Sequence, residues 1–332
     1  MGTVVGSRIF VTGATGFIGR HVVERLVGYG ARLRLGVREI NRCPASWASH
    51  PAIEMLESPH LISRKVIEEG LRDAHAVIHL AGLAHLTGAD PGRTDAQFMI
   101  SNAQFTEVLA ESAAAADVRA FIHLSSLAAI TSNAADGIVN DASREAPLTP
   151  YGRSKLEAER HVRDLAGRGV FAVSLRPPLV VGAEAPGNWA RLQALAASGL
   201  PLPFASVDNK RCFVSVQTLS RAVQHLALGN WPANLSGEYC VCDPEALSLA
   251  TLMRELRRGM GIPDRLFPVP VSALRFLGTV AGRQGEMNGL TGNLELDPSR
   301  FFRTFGFDPE LDIREAVRQS GATYAETRRN RR

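Results

Sequence analysis

Thr12-Gly13-Ala14-Thr15-Gly16-Phe17-Ile18-Gly19 decides the fold of this 332-residue chain. The octapeptide follows the apolar run 8–12, which reads as a buried strand, and opens a helical pattern over 17–27. Gly13 permits a tight turn, Gly16 lets a main chain approach a pyrophosphate, and Gly19 lets helix and strand pack closely. The helix N-terminus adds free N–H groups and a positive dipole end. Glycines also serve turns that bind nothing. The strand–turn–helix setting is what gives this triad its dinucleotide reading.

Working outward, short apolar runs at 31–37, 53–56, 76–80, 120–125 and 170–175 alternate with helical patterns at 66–71, 94–116 and 150–166. Parallel strands need crossover connections, so the alternation predicts an α/β fold, a Rossmann-type doubly wound parallel sheet. After Arg176 the alternation breaks at Pro177, Pro178, Pro186, Pro201 and Pro203. Residues 1–176 are expected to form the dinucleotide-binding domain, with 211–230 returning to it. Residues 177–210 and 231–332 are expected to form a smaller C-terminal substrate-binding lobe.

The end of the second strand selects the dinucleotide. An acid there takes the ribose hydroxyls of NAD, whereas a cation accommodates a 2′-phosphate. Here Leu35-Gly36-Val37 leads to Arg38, and the first acid is Glu39. A planar guanidinium suits phosphate. NADP(H) is therefore favoured, with NAD(H) as the alternative and Arg20 and Arg42 as helpers. A solvated arginine would look the same in sequence.

Tyr151 and Lys155 stand at i and i+4 on one helix face. A phenol is a weak acid, and the neighbouring ammonium is expected to lower its pKa. Such a pair can give a proton to a carbonyl oxygen as hydride reaches carbon. The pairing also occurs by chance on many helices. Its weight comes from following His123-Leu124-Ser125-Ser126, at the carboxyl edge of a sheet where ligands bind. Either serine could bond the reacting oxygen, and Ser126 is preferred. Asn102 serves either the core or the site. His79 and His123, at apolar strand ends, read as packed core residues.

Composition excludes several classes. Apolar residues are 45% and charged residues 21%, with a formal charge of +4. That suits a globular enzyme and no nucleic-acid partner. No apolar run of about 18 residues is present, so no membrane span is expected, and the location is expected to be cytoplasmic. Cys43, Cys212, Cys240 and Cys242 form no metal-type pair and are expected to be reduced, with Cys240 and Cys242 sharing a strand face. His75, His79 and His85 lack ligand spacing, so no metal site is expected. The basic tail 327–332 reads as a solvated terminus.

Five motifs in order resemble an extended short-chain dehydrogenase/reductase of the NAD-dependent epimerase/dehydratase family. They are TGATGFIG, HLAG at His79–Gly82, LSS at Leu124–Ser126, YGRSK at Tyr151–Lys155 and RPPLVVG at Arg176–Gly182. With GLPLPF at 199–204 and Asn209-Lys210-Arg211 before Phe213-Val214, the chain is most similar to bacterial UDP-4-keto-6-deoxy-hexosamine 4-reductases, and next to UDP-hexose 4-epimerases. The resemblance implies catalysis by Ser126, Tyr151 and Lys155. It implies a cofactor site made by Gly13, Thr15, Gly16, Phe17, Ile18 and Gly19, with Arg38 at the ribose. Leu80, Ala81, Gly82, Tyr151, Lys155 and Pro177 complete that site. A UDP-sugar substrate would meet His85, Ser126, Asn188 and Arg211, the last two at the diphosphate. In sequence Asn188 reads equally as a helix cap and Arg211 as a surface arginine.

Two departures are visible. Ser58-Pro59-His60 stands where many relatives carry an adenine-binding aspartate, and Ala129-Ile130-Thr131 replaces the epimerases' VYG. A homodimer through the 94–116 helix is a further implication. A non-catalytic NADP(H) sensor could dispense with the tyrosine and lysine that this chain keeps.

Overall fold

In the computed structural model, residues 7–59, 63–84, 91–131 and 134–330 are described. Seven strands form the main sheet: β1 (Arg8–Thr12), β2 (Arg32–Val37), β3 (Ile53–Glu57), β4 (Ala74–His79), β5 (Ala120–Leu124), β6 (Phe171–Arg176) and β7 (Gly237–Cys240). Their spatial order is β7-β6-β5-β4-β1-β2-β3, and every pair is parallel. This is the expected Rossmann-type sheet. The chain winds one way from β1 to β3 and the other way from β4, so the switch point lies between β1 and β4.

The central strands β1, β4, β5 and β6 are buried on both faces, which is why they read as continuous apolar runs. One face packs against α1 (Phe17–Gly28) through Val22, Val23 and Leu26. The other packs against α2 (Phe105–Ala115) and α3 (Pro150–Arg163) through Phe105, Leu109 and Val162. The expected 94–116 helix is not uniform. Between Pro91–Phe98 and α2 it widens into a π-helical turn, Met99–Gln104. Turns of this kind redirect a side chain without ending a helix, and here that side chain is the buried Asn102.

The chain beyond residue 176 also contributes to the main sheet and its core. α4 (Val216–Leu228) does return, burying Leu219, Val223 and Leu226 in the same core as α1. Its strand, Val214–Ser215, instead pairs with Val180–Val181 in a separate two-stranded sheet. β7 lies within the stretch assigned to the second lobe, yet it forms the edge of the main sheet. Phe301 and Phe305 join the main core too, packing edge-on against Tyr239 of β7 and tilted against each other. A second hydrophobic core is built on Trp189, Leu192, Leu252, Met253, Leu256 and Val317. The four cysteines are free thiols, and Cys240 and Cys242 share a buried cluster with Cys212.

Candidate functional site

The glycine turn is built by contact as well as by conformation. Gly13 has φ +75°, and a Cβ there would lie 2.4 Å from the Ala81 nitrogen. A Cβ on Gly19 would lie 2.2 Å from the Gly13 carbonyl oxygen. Both neighbours are backbone and cannot give way. Gly16 differs. It is exposed, its φ is −69°, and a Cβ would meet only the Gly13 oxygen at 3.3 Å. The fold itself places little demand for glycine there. α1 starts with no side-chain cap and no acid in its first turn, so its N–H groups and dipole remain available to an anion. A Cβ on Gly16 would therefore enter the space that a pyrophosphate needs, and the cradle fits a dinucleotide.

This contrast is testable. Gly19→Ala is expected to destabilise the fold by about 1–3 kcal/mol through overpacking. Gly16→Ala is expected to melt near the wild-type temperature and to bind dinucleotide at least about tenfold more weakly, a change of roughly 1.4 kcal/mol. Thermal melts beside nicotinamide fluorescence titrations separate the two effects.

At the end of β2, Arg38 is exposed. The Glu39 carboxylate is held by Arg42 at 3.0 Å, and Arg20 donates to the Thr15 carbonyl at 3.2 Å. Ser58, at the missing aspartate position, is buried, and its N–H bonds the Val37 carbonyl at 2.9 Å.

The carboxyl ends of β1, β4, β5 and β6 carry a polar row. Thr12 Oγ1 meets His79 Nδ1 at 2.7 Å, His79 stacks on His123 at 5.6 Å, and His123 Nδ1 meets Ser174 Oγ at 3.0 Å. Burial holds His79 near pKa about 3 and His123 well below its ordinary value. Both rings are neutral at physiological pH, as packed core residues are. Among the described residues no group of His, Cys, Asp and Glu could hold a metal ion.

Above this row the expected catalytic residues converge. Thr149 caps α3 by accepting the Gly152 N–H at 3.0 Å, with Pro150 in the first turn. Gly152 lets α3 press against the turn after Ser126, since a Cβ there would lie 2.2 Å from the Ala128 oxygen. Tyr151 is half-buried beside Phe98, with ring centroids 5.8 Å apart. Burial raises its phenol pKa, and a hydrogen bond with Ser126 opposes the rise. Ser125 turns the other way, donating to Glu159 at 2.5 Å. Lys155 is buried and donates from Nζ to the Leu124 carbonyl at 2.7 Å. A Cβ on Gly82 would lie 3.1 Å from that Nζ, so the HLAG loop passes directly over it. The Asn102 amide clamps this loop, accepting from the Leu83 N–H at 2.7 Å and donating to its carbonyl at 3.0 Å and to Ser154 Oγ at 2.9 Å. Pro177 closes the group, its carbonyl taking the Leu127 N–H at 3.0 Å.

One electrostatic expectation is corrected. Spacing places the ammonium on the phenol's face of the helix, but the side chain runs to Leu124. The causes acting on the phenol are its own burial and Ser126. Burial also lowers the Lys155 pKa to about 8, against the raising effect of Glu159. The free site thus holds a protonated phenol rather than a phenolate.

Of the expected substrate residues, Ser126 belongs to this group through its bond with Tyr151. Arg211, partly buried, reaches the Gly292 carbonyl at 3.0 Å, and burial lowers its pKa to about 10. Gly292 belongs to a cleft lined also by Ala134–Gly137, Arg275, Asn288, Thr291 and Asn293. Asn188 is exposed in the first turn of Asn188–Ala197, whose cap is Gly187, so the capping role does not apply. His85 and His60 lie outside the described residues. Sequence reading missed the buried pair Glu159–Arg176. The signal was there, since Glu159 continues the Tyr151–Lys155 spacing by another four residues.

Residues 9–231 match the family model "NAD dependent epimerase/dehydratase family". The chain belongs to this family. It is an enzyme of this NAD-dependent epimerase/dehydratase class, with the sheet, glycine turn and helix-borne tyrosine–lysine pair described above. It is 28% identical over 320 residues to the UDP-glucose 4-epimerase of Vibrio cholerae, covering 95% of each chain. It is 30% identical over 276 residues to the ceramide reductase of Caulobacter vibrioides, covering 81% of this chain and 76% of that one. Among solved structures, the UDP-N-acetylglucosamine 4-epimerase of Bacillus cereus superposes with a TM-score of 0.74 at 20% identity, covering 96% of this chain and 99% of that one. No helix among the described residues is long and apolar enough to cross a membrane.

Proposed function

We propose that this chain is an NADPH-dependent reductase of the 4-keto group of a UDP-linked 6-deoxy-N-acetylhexosamine. The reading is supported by the placement of Tyr151 beside Ser126, with its phenol pKa raised by burial, and by the buried Lys155 on the same helix. A protonated phenol is set to give a proton to a ketone oxygen, the direction that reduction requires. The bound dinucleotide supplies hydride. Ser126 and Tyr151 hold the carbonyl oxygen, and Lys155 orients the ribose side of the site. Gly13–Gly19 and the α1 N-terminus hold the pyrophosphate, and Leu80–Gly82 and Pro177 wall the nicotinamide end. Arg38 takes the 2′-phosphate. Arg211 and Asn188 hold the UDP diphosphate, for which a guanidinium and an amide are suitable donors.

A second reading is favoured by the Vibrio cholerae relative, which matches over nearly its full length. It is a UDP-hexose 4-epimerase that retains NAD through oxidation and re-reduction. The experiment that decides is to mix pure protein with NADPH and the UDP-4-keto-sugar. Reductase action consumes NADPH in step with substrate. Co-purified NAD, and interconversion of UDP-N-acetylhexosamines with no net loss of nicotinamide absorbance, would establish the epimerase instead.

Arg38→Ala is expected to weaken NADPH binding about 10- to 100-fold, the worth of a hydrogen bond to a charged group, and to leave NADH binding nearly unchanged. Paired titrations check this. The pH profile is also set by the site. Lys155 has its pKa lowered to about 8, so its ammonium is present below that pH and lost above it. The kcat/KM of the free enzyme is expected to fall as pH rises through about 8. Neutral His79 and His123 should add no step between about pH 5 and 7.

A further inference from the structure

Glu159 is fully buried on α3, one helical turn beyond Lys155. Its carboxylate accepts from Arg176 Nε at 2.9 Å, Arg176 Nη2 at 2.6 Å and Ser125 Oγ at 2.5 Å. Desolvating an ion pair offsets much of its attraction, and well-packed apolar residues often serve stability equally well. A pair at this depth calls for a role beyond holding the core. Its position supplies one. Ser125 stands between Leu124, whose carbonyl takes Lys155 Nζ, and Ser126, whose hydroxyl meets Tyr151. Fixing Ser125 fixes both neighbours.

We propose that Glu159 is a positioning residue of the proton-transfer site: clamped by Arg176, it ties the Leu124–Ser126 strand end to α3 and supplies the fixed negative charge opposite Lys155. This rests on the reading of Tyr151 as proton donor with Lys155 behind it. The groups around the pair come from several elements. His79 on β4 and His123 on β5 lie near Lys155, both neutral through burial. Burial raises the Glu159 pKa and Glu238 on β7 adds to the rise, while the bonds with Arg176 on β6 and with Ser125 oppose it and favour the carboxylate; Cys240 of β7 acts on Arg176. In the loop before α3, Glu145 takes Arg176 Nη2 at 3.1 Å and Arg163 at 3.3 Å. Glu159 is the carboxylate that raises the Lys155 pKa against its burial.

The test is direct because the chain has three lysines, Lys65, Lys155 and Lys210. With isotope-labelled lysine, the Lys155 Cε resonance, assigned by its loss in Lys155→Met, is titrated by NMR in the full-length protein. Wild type should titrate near pH 8. Glu159→Gln should titrate lower by about one unit or more, as for removal of a nearby opposite charge. Glu159→Asp keeps the charge and should stay close to wild type. An unmoved midpoint in Glu159→Gln, or an equal shift in Glu159→Asp, overturns the proposal. Should Glu159→Gln not fold, Ser125→Ala tests the clamp. The Lys155 ammonium protons should then exchange faster with water, and unchanged exchange would refute the tie. Turnover that survived Tyr151→Phe would remove the assigned reaction while leaving the Lys155 titration intact, so the two failures are distinct.

Discussion

Tyr151→Phe is expected to lower kcat by about 10²- to 10⁴-fold, the range that a positioned acid–base group contributes. Dinucleotide affinity should be unaffected. The substitution removes one hydroxyl and leaves the ring against Phe98, so fold and cofactor cradle have no reason to change. Burial keeps the phenol protonated at neutral pH, and Ser126 holds it in place. In the proposed reaction, what is lost is the donor that would meet the carbonyl oxygen as hydride arrives. Single-turnover decay of NADPH absorbance reads that step without interference from product release. Ser126→Ala should act in the same direction.

The second large effect is on stability. Arg176→Met is expected to cost about 3–5 kcal/mol, because it leaves the Glu159 carboxylate buried without its two guanidinium donors. Adding Glu159→Leu to the same chain should restore most of that loss, since an apolar pair can replace a buried ion pair at little cost. Turnover should stay impaired in the double variant, because the strand end beneath Tyr151 and Lys155 would remain untied. Denaturant melts of both singles and the double complete the cycle. Recovery of stability together with full activity would show the pair to be structural alone.

These expectations indicate what the amino-acid order discloses. The glycine turn, the alternation from β1 to β6 and the placing of Tyr151 and Lys155 on one helix face are local periodicities, so they were legible. β7 was not. Gly237–Cys240 is four residues long, and its partner Val173–Arg176 lies over sixty residues earlier, a pairing that no local pattern records. Phe301 and Phe305 likewise belong to the main core only through contacts with Tyr239. Spacing put Lys155 on the phenol's face of α3 but could not say that its Nζ would run to Leu124. Asn102 was visible as a polar residue in an alanine-rich helix, and the π-helical turn that aims it at Leu83 was not. Glu159 needed the fold to bring Arg176 beside it.

In the proposed reaction Tyr151 delivers the proton where hydride is received. A crystal structure with NADP⁺ and a UDP-sugar measures this directly. The Tyr151 hydroxyl should lie within hydrogen-bond reach of the sugar's 4-oxygen, over the nicotinamide C4 and beside Ser126. A 4-oxygen held on the far side of the ring from Tyr151, or a nicotinamide lying away from the Leu80–Gly82 loop, would contradict it.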